Sequence, residues 1–103
     1  MFKEAQAKVD EWVQGYKKPY FEPLSQFARL AEEVGEVGRI LNHKYGDKVK
    51  KDGEEPDELG AELADILFAV VCSANSHNLD LDIEFEKIIQ KSKTRDVNRF
   101  DKK

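Results

Sequence analysis

Two stretches of the chain each carry a pair of acids three residues apart. Glu33 and Glu36 stand in Glu32-Glu33-Val34-Gly35-Glu36, and Glu62 and Asp65 in Glu62-Leu63-Ala64-Asp65. On a helix a three-residue step turns about 300°, so each pair shares one side, and two such helices packed together would converge four carboxylates. Helical carboxylates are usually solvated and paired with a lysine or arginine one turn away. Here the turn neighbours of Asp65 besides Glu62 are Ala61, Phe68 and Ala69, and those of Glu62 are Glu58, Leu59 and Ile66, none of them basic. An ionised aspartate in an apolar helix is costly unless it is paired, hydrogen-bonded or bound to a metal. Further carboxylates around it raise one another's pKa. A hard divalent cation answers both problems, and an all-oxygen ligand set favours magnesium, with manganese as a possible substitute. A di-iron bundle site would need Glu-x-x-His motifs, whereas the residues three before His43 and His77 are Ile40 and Ala74. The competing reading is a non-enzymatic helical interaction module whose acids form a negative groove for a basic partner.

These acids need helices to hold them, and the periodicity predicts four. The first runs from about Phe2 to Gly15, with Phe2, Ala5, Val9, Trp12 and Val13 on one stripe. The second starts near Pro23, a favoured first-turn position, and carries Leu24, Phe27, Leu30, Ala31, Val34, Val37 and Leu41 on its apolar side until Gly46. Polar, glycine-punctuated residues Gly46 to Glu55 read as an exposed loop. The third helix is placed from Pro56 to about Ser76, and its half from Leu63 to Ala74 is apolar almost all round, more than a small monomer can bury. The fourth begins after Asp80, a good N-cap, and shows Leu81, Phe85, Ile88 and Ile89 on one side before Lys93. The expected architecture is a single all-α domain over residues 1–103, an antiparallel four-helix bundle completed by self-association.

Composition narrows the partners. At 103 residues with 40% hydrophobic and 37% charged content, the chain suits one folded domain with a modest core. The lone Cys72 forms no internal disulfide and no secretion-type leader is visible, which predicts a reducing, cytoplasmic setting. No continuous apolar run reaches membrane-spanning length, so no membrane partner is expected. A net charge of -4 argues against binding a nucleic-acid polymer. The charge is nonetheless polarised, with acids concentrated between Glu22 and Asp65 and bases from Lys87 onward.

The two-part pattern Glu32-Glu33-x-x-Glu36, 25 intervening residues, then Glu62-x-x-Asp65, resembles the signature of the MazG-like all-α nucleoside triphosphate pyrophosphohydrolases. Phe27-Ala-Arg-Leu-Ala-Glu-Glu-Val-Gly-Glu and Asp65-Ile-Leu-Phe share that texture, and the likeness runs from about Tyr20 to Arg95. It implies Glu33, Glu36, Glu62 and Asp65 as magnesium ligands in the hydrolysis of nucleoside triphosphates to monophosphate and pyrophosphate. Glu32 either orients the attacking water, making Glu32, Glu33 and Glu36 the catalytic set, or faces solvent beside Arg29. Lys91 and Arg95, one turn apart, would meet the phosphates, unless they merely balance the helix dipole. Asn75 would approach base or sugar, or be a plain helix-end amide. Dimers or dimers of dimers are implied, with Lys91 and Arg95 able to serve a neighbouring subunit's acids. A phosphoribosyl-ATP pyrophosphohydrolase within the same superfamily is disfavoured, because the lysine- and glycine-rich entry to its glutamate motif is missing.

Other residues carry blander expectations. Trp12 and Phe27 are placed in the core rather than stacked on a base, His43 at an exposed helix end, and Cys72 as a small buried hydrophobe. Gly35 and Gly38, each costing about 1 kcal/mol in a helix, suggest close helix approach or room for substrate.

Overall fold

The computed structural model describes residues 1–51 and 58–103. Its elements are four helices, α1 (Phe2–Val13), α2 (Pro23–Tyr45), α3 (Leu59–Ser76) and α4 (Leu81–Arg95), with no strand among the described residues. The all-α expectation therefore holds. The expected third-helix start at Pro56 and the far part of the predicted loop lie outside the described residues.

Local chemistry sets the boundaries. Pro23 opens α2 in its first turn, where its missing N–H costs nothing. At the far end, a Cβ on Gly46 would lie 2.8 Å from the Asn42 carbonyl oxygen and collide with the Asn42 side chain, so that closing position requires glycine. Between α3 and α4 the chain turns in a Schellman motif: Asn78 takes φ 56°, its N–H donates to Asn75 O (3.1 Å), and Leu79 N–H donates to Ala74 O (2.9 Å). Asp80 then caps α4 as expected, its carboxylate accepting from the amides of Asp82 (3.0 Å) and Ile83 (3.2 Å).

The first turn of α1 is capped from the other end of the sequence. Asp82 accepts from Phe2 N–H at 2.7 Å and Lys3 N–H at 3.2 Å, satisfying two of the orphan donors of that helix. Gln6 fastens α1 to the α3–α4 turn, donating from Nε2 to Asn75 Oδ1 (3.0 Å) and Leu79 O (2.8 Å) and accepting from Leu81 N–H (3.0 Å). Asn75 Nδ2 returns a bond to Gln6 O at 3.0 Å.

The principal pairings are α2 with α3, α3 with α1, and α1 with α4. The result is open, with a radius of gyration of 17.4 Å, where about 13 Å is usual for a compact domain of this length. Its buried apolar core is small: Val13, Ile40, Ala69, Val71 and Ala74. The stripe of α2 formed by Phe27, Ala31, Val34 and Leu41, expected in the core, faces outward instead, and Phe27 is 66% exposed. The side of α2 that meets α3 is the one carrying Gln26, Glu33, Val37 and Ile40, so an amphipathic pattern read as one apolar face divides into an inner and an outer seam. Gly35 and Gly38 have nothing within 4 Å of where a Cβ would stand, so they mark no close approach among the described residues. By length and composition α3 could cross a membrane; it packs against α2 and α1 and carries Glu62 and Asp65.

Candidate metal centre and adjoining cavity

Antiparallel packing of α2 and α3 aligns two stripes: Gln26, Arg29, Glu33 and Glu36 on one helix, and Glu62, Asp65, Phe68, Cys72 and Ser76 on the other. At one end of this seam, carboxylate oxygens of Glu33, Glu62 and Asp65 lie within 4.8 Å of one another. Glu33 and Glu62 are half-buried and Asp65 is exposed. Glu62 is held above the ordinary carboxylate range, first by desolvation and then by the charges of Asp65, Glu33 and Glu36, with Arg39 opposing. These side chains fit a hard cation: magnesium places its oxygen ligands at about 2.0–2.1 Å, and small rotamer adjustments would bring oxygens already this close onto such a sphere.

Glu36 belongs to the neighbourhood but not to that trio. Its Oε2 accepts from Arg39 Nη2 at 2.8 Å and Nε at 3.2 Å, an i, i+3 ion pair on one helix face. Sequence reasoning had looked for a cation near the acids of α3 and passed over Arg39 on α2. Glu32 is exposed and has no ion pair among the described residues; in particular it is not joined to Arg29, whose guanidinium lies over the Phe68 ring, 5.3 Å from its centroid.

The structure does not bring Lys91 and Arg95 into this cluster. Both are exposed on α4, which packs chiefly on α1, and Arg95 bonds to the Asp96 carboxylate through Nε and Nη2, each at 3.2 Å. Asn75 lies about 15 Å along α3 from Asp65, ten residues at 1.5 Å each, and its amide is engaged on both sides by Gln6. His43 is half-buried rather than exposed.

Beyond Arg29, the same seam opens into a cavity of about 340 Å³. The aromatic rings of Trp12, Tyr16, Tyr20, Phe21 and Phe68 line it, together with Gln26 and Arg29 among its polar members. Trp12, expected in the core, is 57% exposed and stands at this cavity, edge-on to Tyr16 (5.3 Å) and Phe68 (6.0 Å). The loop that supplies Tyr16, Tyr20 and Phe21 is tied to α1 by the Tyr20 hydroxyl, which donates to Asp10 Oδ1 at 2.6 Å. Burial, and then that carboxylate, push the Tyr20 hydroxyl up to about 12. Cys72 is half-buried on the cavity wall and its thiol is pushed up by burial, in keeping with an inert role.

The helical register could have disclosed Gln26 and Arg29, because both precede Glu33 on its own face at four- and seven-residue steps. The aromatics of the loop could not be placed that way, since loop geometry carries no period.

Comparison with known proteins identifies the family and the fold. Residues 21–100 match the family model of the MazG nucleotide pyrophosphohydrolase domain. The uncharacterized protein YpjD of Bacillus subtilis (strain 168) is 42% identical over 101 residues, covering 98% of this chain and 91% of that protein. The crystal structure of YPJD from Bacillus subtilis superposes with a TM-score of 0.82 at 41% identity, covering 93% of this chain and 96% of that one. That of a Bacillus-conserved MazG protein, a nucleotide pyrophosphohydrolase, gives 0.78 at 38% identity, with 96% of each chain covered. The chain thus belongs to the MazG nucleotide pyrophosphohydrolase family, a family of hydrolases that generally depend on divalent metal ions.

Proposed function

We propose that this protein hydrolyses nucleoside or deoxynucleoside triphosphates to the monophosphate and pyrophosphate with magnesium as its metal, serving to control or clean the nucleotide pool of the cytoplasm. The observation that carries this reading is the meeting of Glu33, Glu62 and Asp65 across two helices, within 4.8 Å, next to an aromatic cavity. Glu33, Glu62 and Asp65 would hold the ion, with Glu36 joining them from its position beside Arg39. The chemistry a magnesium ion held there would supply is neutralisation of triphosphate charge and activation of a water toward the α-phosphorus. Glu32, exposed one position before Glu33, is the candidate to take the proton of that water. Arg29 stands between acids and cavity, where its guanidinium, lying over the Phe68 ring, can meet a phosphate. The base enters the cavity, with the sugar bridging the two halves of the seam.

Self-association as a dimer, or a dimer of dimers, belongs to the same reading. The outward stripe of Phe27, Val34 and Leu41 on α2 and the exposed Leu63 and Leu67 on α3 leave apolar surface that a second copy would cover. In such an assembly Lys91 and Arg95 would act as phosphate clamps at a neighbour's acids, a role they do not have within one chain, while Asn75 would act through the α1 segment it holds.

Turnover of a panel of ribo- and deoxyribonucleoside triphosphates, with magnesium and with chelator, tests the proposal. Magnesium-dependent release of pyrophosphate with matching monophosphate is expected. No product from any of them, or orthophosphate instead, would overturn it and favour an acidic groove that binds a basic partner.

A further inference from the structure

Gln26 is 93% buried by its 7% exposure, the one buried polar side chain among the described residues. It lines the cavity from the first turn of α2. Its Oε1 lies 3.1 Å from the Ser76 hydroxyl across the α2–α3 seam, a donor it shares with Ser73 O, also at 3.1 Å. Its Nε2 is buried with no hydrogen-bond partner among the described residues. A buried amide donor without an acceptor is costly, and such groups in folded proteins call for an explanation.

The surroundings show what would satisfy it. Five aromatic rings line the cavity, three of them on Trp12, Tyr16 and Phe21, which remain more than half exposed. Exposed aromatic faces around a concave site favour a flat ring as occupant. Gln26 lies seven residues from Glu33 on one face of α2, about 10 Å along the helix, roughly the reach of a sugar and its first phosphate. A planar heterocycle that also brings an acceptor to Nε2 is a nucleobase.

We propose that Gln26, its amide fixed by Ser76, is the residue that anchors the base of the substrate, donating from Nε2 to a carbonyl oxygen or ring nitrogen on the base edge. The assignment rests on the nucleotide chemistry proposed above, but base binding at Gln26 requires neither the acids nor the metal. With Oε1 engaged by Ser76, Nε2 is the amide atom left without a partner among the described residues. The base is therefore held by an acceptor on its edge, and binding of nucleosides stripped of phosphate retains this hydrogen bond.

The protein contains a single tryptophan, and Trp12 sits at the cavity, so its fluorescence reports occupancy directly. Uridine, cytidine, adenosine and guanosine are titrated into the protein in EDTA, where the metal plays no part. At least one nucleoside is expected to change Trp12 emission saturably. Gln26→Met, which keeps the length of the side chain and removes its polar atoms, is expected to weaken that binding about tenfold. Ser76→Ala leaves the cavity lining in place and only unfastens the amide; a loss of about two- to tenfold is expected, and this variant decides the matter if Gln26→Met does not fold. A wild-type protein that responds to no nucleoside, or variants that bind as well as wild type, would overturn the assignment even if magnesium-dependent hydrolysis stands. Nucleoside binding weakened by both substitutions in a protein that hydrolyses no triphosphate would support Gln26 as a base anchor and remove the proposed reaction instead.

Discussion

The guanidinium of Arg29 on α2 lies over the ring of Phe68 on α3, 5.3 Å from its centroid, placing a cation where the aromatic cavity meets the acid cluster. The ring face attracts the guanidinium and keeps its charge beside the cavity. Arg29→Gln is expected to lower kcat/KM for triphosphates by about tenfold to a hundredfold in steady-state assays with magnesium. Arg29→Lys should recover part of that loss, since charge returns without the planar stack. Unchanged kinetics in Arg29→Gln would take Arg29 off the phosphate path.

The acid cluster is in conflict with itself until a cation arrives. Desolvation, then Asp65, Glu33 and Glu36, raise the Glu62 carboxyl above its ordinary range, so at neutral pH its charge works against the fold. Glu62→Gln should therefore melt higher than wild type in EDTA. Magnesium should raise the melting temperature of wild type and do so much less for the variant. The same substitution is expected to cost turnover about a hundredfold or more. Melting curves that order the two proteins the other way in EDTA would contradict the repulsion.

Asp82 works in the opposite direction. Its backbone bond from Phe2, followed by that from Lys3, outweighs desolvation and lowers its pKa below the ordinary 3.8. A carboxylate with a depressed folded value adds stability that is complete above the unfolded pKa and is lost as the pH falls through the folded one. The melting temperature of wild type should thus drop below about pH 4. That of Asp82→Asn should start lower and converge with wild type as the pH falls. Parallel acid limbs for the two proteins would show that the cap carries no charge-dependent stability.

Tyr20 provides an alkaline counterpart. Burial, then the bond to Asp10, lift its hydroxyl from 10.0 to about 12. The phenolate absorbance step that disappears in Tyr20→Phe should be centred near that value. Since the neutral form is the one the fold prefers, the associated stability should be present below pH 10 and decline between the two values. A step near 10 would mean that the loop carrying Tyr20 is not docked on Asp10.

The meeting of Glu33, Glu62 and Asp65 was legible because acids spaced on one helical face can be counted from sequence, and a second helix with the same spacing suggests their approach; that Glu36 turns to Arg39 instead was not. Helix ends were legible where side chains enforce them, as at Pro23 and Asp80. What the pattern could not decide was which of two apolar seams on α2 turns inward. Phe27 and Val34 have the hydrophobicity of core residues, and Ile40 is the one that α3 covers, leaving 4% of its surface exposed. Trp12 misled for the same reason, since a stripe position fixes a helix face and not what lies opposite it. Lys91 and Arg95 suited phosphates by charge, but α4 settles on α1, and their distance from the acids is a tertiary fact. Gln26 and Ser76 lie 50 residues apart, and only packing reveals their bond.

The cap that Asp82 supplies to Phe2 and Lys3 also orders events in time. A ribosome adding roughly 5–20 residues per second makes the amides of Phe2 and Lys3 several seconds before the carboxylate that receives them. Through that interval the first helix grows without its cap, and Gln6 waits as well for Asn75 and Leu79. The acids of the α2–α3 seam can meet before that cap exists. Vectorial synthesis therefore brings the two acid-bearing helices together first and closes the N-terminal turn of α1 last.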